Sequence, residues 1–173
     1  MFIESVIALM LLSLAVFAVP VRWKWQVAFC VVGLGVLSAL YEPDGLFSGG
    51  RRIYPEGINI VFGPQYGVTD PLSSFFFIIL SLSAVAVLIY AKGYIKPYLG
   101  RKSPAQISLH YCGLGILYLS MLLVVTLRDG FSFLFAWEVM TLSSFVLMLF
   151  DAERREVRRA ALSYLILMHV GFL

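Results

Sequence analysis

A helix needs about 20 consecutive apolar residues to cross a bilayer, and runs of that kind recur along this chain. Residues 72–91 and 107–127 contain no Asp, Glu, Lys or Arg, and residues 131–150 contain a single one, Glu138. With 61% hydrophobic and 13% charged residues and a mean hydropathy of +0.91, lipid rather than water is the expected solvent. The expected fold is all-α, a polytopic transmembrane helix bundle of about six helices. The spans fall at about 2–19, 26–41, 72–91, 107–127 and 131–150, with an incomplete one at 160–173. All 173 residues then belong to one transmembrane domain, and 42–71 forms an outer loop.

Local chemistry marks the ends of these spans. The first run carries the acidic Glu4 and has no basic residue before it, which argues for a helix and against a secretory signal. Pro20 closes it, and Arg22, Trp23, Lys24 and Trp25 make a basic, aromatic turn suited to a membrane interface. Between Glu42 and Asp70 the prolines and glycines are too dense for a helix. Within that loop Ile58, Ile60 and Phe62 alternate with Asn59, Val61 and Gly63, a weak strand signal that allows a short hairpin on the outer face.

Lys and Arg set the orientation. Arg22, Lys24, Lys92, Lys96, Arg101, Lys102, Arg154, Arg155, Arg158 and Arg159 fall on one side of the predicted topology, and Arg51, Arg52 and Arg128 on the other. Positive residues stay in the cytoplasm, so the N-terminus is expected outside a cell membrane. The net charge of +3 is spread over loops rather than gathered on one solvated face, which excludes a nucleic-acid partner. Cys30 and Cys112 sit in apolar runs, where a free Cys acts as a small hydrophobe. Gly-rich phosphate loops, CxxC pairs, HExxH and serine-elbow motifs are missing, so neither a cofactor nor a metal is expected in this chain.

An ionisable group at membrane depth is costly and therefore reads as functional. Glu138 lies about 10 Å below the outer surface at 1.5 Å per helical residue, close to the midplane. Helical spacing puts Thr141 on its face as the one polar neighbour within a turn, so its partner must come from elsewhere. A carboxyl group whose surroundings alternate between dry and hydrated can load and release a proton, the property of a relay; its structural alternative is interhelical glue. His169, about 12–14 Å from the cytoplasmic end of the sixth run, suits a proton shuttle or a neutral hydrogen bonder equally well. His110 falls nearer the interface, and the difference in depth argues against a haem held between the two histidines. Asp129 stands at the start of the fifth span, where a carboxylate caps a helix or lines a proton exit.

The run DGFSFLFAWEVMTLSSFVLMLF, from Asp129 to Phe150, resembles the fifth helix of the antiporter-like proton-translocating membrane subunits. That family includes the large membrane subunits of respiratory complex I, the Mrp-type cation/proton antiporters and the membrane arms of energy-converting hydrogenases. By this resemblance, Glu138 matches the glutamate that the family uses for proton transfer, and Asp129 an acid often found upstream. Met140 to Ser144, MTLSS, and Ser163 to Gly171, SYLILMHVG, look more like the hydrogenase and formate hydrogenlyase branch, where a His occupies the sixth helix.

The resemblance implies a proton-translocating subunit, driven by redox chemistry in other membrane subunits and carrying protons or Na⁺. Family members have more helices than this chain, and the lysine that pairs with the helix-five glutamate lies on a later one. No Lys or Arg lies within a predicted span, so the sequence reads as an N-terminal fragment or a split subunit whose Glu138 partner is supplied from outside. The alternative is a non-conducting membrane scaffold that docks a redox enzyme through its basic loops.

Overall fold

A computed structural model describes residues 2–40, 52–55 and 66–171. Among these residues the chain is a bundle of six α-helices with one two-stranded antiparallel sheet at one end. Helix α1, Phe2–Ser13, tightens into a 3₁₀ turn over Leu14–Phe17 before Pro20. Helix α2, Lys24–Leu40, follows a 3₁₀ turn at Val21–Trp23. Strands β1, Arg52–Pro55, and β2, Tyr66–Thr69, pair with Arg52 opposite Thr69 and Pro55 opposite Tyr66. The alternating segment at 58–62 lies outside the described residues.

Helix α3, Pro71–Ile95, starts where Asp70 accepts a hydrogen bond from the Ser73 amide at 2.8 Å and Pro71 fits the first turn. Helix α4, Pro104–Thr126, opens with a capping box in which Ser103 and Gln106 satisfy each other's amides. Both start before the expected 72 and 107, because their proline-led first turns are already helical. Helix α5, Gly130–Met148, ends in a 3₁₀ turn over Leu149–Asp151, and helix α6 runs over Arg155–Val170.

The segments Val21–Leu40, Pro71–Tyr98, Pro104–Thr126 and Gly130–Asp151 are long and apolar enough to cross a membrane, and Phe2–Phe17 is a shorter apolar helix. Helix α4 sits in the middle and packs against α1, α2, α3 and α5, with Leu119 and Leu122 fully buried. Apolar burial gives little drive between helices in lipid, so close packing and polar ties hold the bundle together. Tyr118 and Ser81 share a hydrogen bond of 2.9 Å between α4 and α3, and the Trp25 indole donates to the Leu88 carbonyl at 2.9 Å. The strand pair lies on the ends of α1 and α4: Gly67 bridges to Leu127, and a methyl group in its place would collide with Ile3 Cδ1. Arg128 and Asp70, 3.1 Å apart, tie the α4–α5 turn to the start of α3 at that same end.

Candidate functional site

Helices α5 and α6 are joined by a turn too short for anything but antiparallel neighbours, and they pack on each other. In such a pair, residues equally far from the turn meet. Glu138 lies 13 residues before Asp151, and His169 lies 14 residues after Arg155. Both are therefore about 20 Å from the turn at 1.5 Å per residue. His169 Nε2 stands 2.8 Å from Glu138 Oε1. Closer to the turn, Ser144 Oγ and the Tyr164 hydroxyl form a second tie of 2.6 Å between the two helices.

The hydrogen-bond roles at His169 follow from its other nitrogen. Nδ1 lies 2.7 Å from the Leu165 carbonyl oxygen, which can only accept, so Nδ1 carries a proton. The contact between Nε2 and Oε1 then requires one further proton, shared between ring and carboxyl group. Imidazolium beside carboxylate and neutral imidazole beside carboxylic acid are its two forms, and both leave the pair with no net charge. A second proton makes the pair cationic, and losing the shared one sets two lone pairs against each other. The geometry accommodates one shared proton. The side chains of His169 and Glu138 are 43% and 40% exposed, beside the exposed Leu142 and Ile166.

Glu138 has one hydrogen-bonding partner within this chain, His169. The sixth helix, expected from residue 160, starts at Arg155, which sets His169 more than a turn further from the α5–α6 turn. Thr141, fully buried, directs its hydroxyl to the Trp137 carbonyl at 3.0 Å and serves its own helix. Asp129 is the N-cap of α5, accepting from the Ser132 amide at 2.8 Å, and its Oδ2 is buried with no partner among the described residues. His110 lies among the rings of Tyr94, Tyr111 and Phe150. No three His, Cys, Asp or Glu side chains gather among the described residues.

Two lysines counted as loop charges prove to be buried. Lys24 is the first residue of α2, and its ammonium donates to the Val16 carbonyl at 3.1 Å and to the Ser108 hydroxyl, closing the open end of α1. Lys102 lies over the Phe150 ring and bonds Glu153 at 2.7 Å, while Arg154 Nε stands 3.3 Å from Asp151. This cluster ties the α3–α4 loop to the α5–α6 turn. The hydrogen bond from Lys102 holds the Glu153 carboxyl below the usual glutamate range. The cue missed at Lys24 was its place directly after a helix end, where a long cationic side chain can fold back onto free carbonyls.

Fold and site together define a multi-pass membrane protein with an acid–imidazole pair bridging two of its helices. The chain is 30% identical over 145 residues to uncharacterised proteins from two strains of Mycobacterium tuberculosis, covering 83% of this chain and 20% of each relative. It is also 30% identical over 137 residues to NADH-quinone oxidoreductase subunit N of Rubrobacter xylanophilus, covering 79% of this chain and 26% of that protein. The chain thus spans about a fifth to a quarter of the length of the relatives it matches. No family model matches it.

Proposed function

We propose that this chain acts as part of an antiporter-like, proton-translocating membrane subunit of a redox-driven complex, with Glu138 as the proton-transfer residue and His169 as its exchange partner. The observation that carries the reading is the 2.8 Å contact between them, a geometry suited to one shared proton. Similarity to a subunit of NADH-quinone oxidoreductase supports a place in a multi-subunit redox complex. The MTLSS segment favours the hydrogenase-type branch of that family.

A proton reaching the pair converts it to imidazolium beside carboxylic acid; release toward the other face restores the shared-proton state. No redox group takes part in this step. With ten basic residues at the α1–α2, α3–α4 and α5–α6 ends, the positive-inside bias puts those turns in the cytoplasm and the N-terminus outside the cell membrane. In the complete complex, Glu138→Gln removes the exchangeable carboxyl group while keeping its shape. Redox-driven acidification of inverted vesicles, followed with a pH-sensitive dye, is expected to fall by about 10²-fold or more. Pumping at the wild-type rate would remove Glu138 from the path.

A further inference from the structure

Helix α6 stands at the margin of the bundle. It packs on α5 and on the 3₁₀ turn before it, and Leu162, Ile166, Leu167 and Val170 are exposed along it. Apolar contact gives a helix in lipid little drive to stay put, so hydrogen bonds fix where such a helix stands. Among the described residues, the α6 side chains that hydrogen-bond beyond their own helix are Arg158, Tyr164 and His169. Arg158 donates to the Ala152 carbonyl at 2.6 Å and pins the first turns to the segment before them. Tyr164 and His169 hold the rest of the helix to α5.

The Tyr164 contact is directional. Ser144 donates its one hydroxyl proton to the Thr141 carbonyl at 2.9 Å, so the Tyr164 phenol is the donor in the 2.6 Å contact. The acceptor is thereby fixed to the α5 backbone. At about 100° and 1.5 Å per residue, Tyr164 and His169 lie about 140° apart around α6 and about 7.5 Å apart along it. One tie alone lets a helix roll about it, and a second on the other flank, at another height, stops that roll. With Nε2 of His169 about 6 Å from the helix axis, a roll of about 10° moves it by about 1 Å. That stretches the 2.8 Å contact with Glu138 past hydrogen-bonding reach.

We propose that Tyr164 is a positioning residue: through Ser144, its hydroxyl sets the roll of α6 that keeps His169 on Glu138. The functional consequence rests on the proton-transfer reading, and the structural one on the helix geometry alone. Tyr164 carries no proton in transit, since its own is committed to Ser144.

Solid-state NMR of the full-length protein in lipid, with isotope-labelled histidine, reads the pair directly. The proton on Nε2, assigned by its loss in His169→Gln, is expected far downfield in the wild type. Tyr164→Phe removes one oxygen and keeps the ring; it should move that resonance upfield. In the complete complex, redox-driven pumping should fall by about 10²-fold, the cost of a misplacement of about 1 Å. Ser144→Ala removes the same hydrogen bond from the other helix and should give the same two changes. A resonance unmoved in either variant overturns the positioning role, as does pumping at the wild-type rate in either while Glu138→Gln stops it. Pumping untouched in Glu138→Gln instead removes the proton-transfer reading, and with it the functional role of Tyr164.

Discussion

Two glycines in α2, Gly33 and Gly35, separate the contribution of helix packing from that of backbone propensity. A Cβ on Gly33 meets nothing within 4 Å, whereas one on Gly35 would stand 2.9 Å from Leu119 Cδ2 and 3.0 Å from Tyr118 Cε1. Neither neighbour is free to retreat, since Leu119 is fully buried and the Tyr118 ring is anchored through its hydroxyl to Ser81. Replacing Gly by Ala within a helix gains about 1 kcal/mol from propensity at either position. At position 35 overpacking costs about 1–3 kcal/mol. Gly33→Ala should therefore stabilise by up to about 1 kcal/mol and Gly35→Ala should range from neutral to about 2 kcal/mol destabilising. The gap between the two variants, about 1–3 kcal/mol, isolates the close approach of α2 to α4. Reversible unfolding in bicelles, with both variants measured against the parent, reads it directly. Equal effects from the two substitutions would refute the packing assigned to this helix pair.

Other perturbations test the polar ties. Tyr118→Phe leaves the buried Ser81 hydroxyl without its partner and is expected to cost about 1 kcal/mol, with most of it recovered in the Tyr118→Phe/Ser81→Ala double variant by thermal unfolding. Because Lys102 lowers the Glu153 carboxyl below its unfolded value of about 4.3, the stabilisation from this pair is present above that pH and is lost as pH falls through the folded value. Glu153→Gln should flatten the acid limb of the stability profile, by a small, salt-sensitive amount because Glu153 is exposed.

The bundle was legible wherever a long apolar run met strong end chemistry. Residues 72–91 and 107–127 grew in the structure into α3 and α4 because Asp70–Pro71 and Ser103–Pro104 start helices within their own few residues. The sixth helix was read short for the opposite reason. Arg155, Glu156, Arg158 and Arg159 looked like loop charges, yet they form the first turns of α6, where polar residues project from the bundle. Starting α6 at Arg155 sets His169 opposite Glu138, and both residues stood out as candidates. Burial of Lys24 depends on Val16 and Ser108 arriving from two other segments, a contact that no local pattern encodes.

The same pair makes a final, sharper prediction. Proton count alone leaves two forms of the Glu138–His169 contact: an ion pair, or a neutral acid beside a neutral ring. Separated charges are costly in hydrocarbon and cheap in water, so a dry surrounding favours the neutral form and water at the pair favours the ionic one. Hydration then moves a proton across one hydrogen bond without net charge entering the membrane, the small reversible step that a relay needs. Infrared spectra of the protein in lipid films should show the carbonyl band of a protonated Glu138 when dry, weakening as the film is hydrated, and missing in Glu138→Gln. In His169→Gln the acid has no ring to receive its proton and can give it up only to bulk water, so its band should persist to higher hydration. A band that ignores water in the wild type, or follows the same hydration course without His169, would mean that the proton does not move between these two side chains.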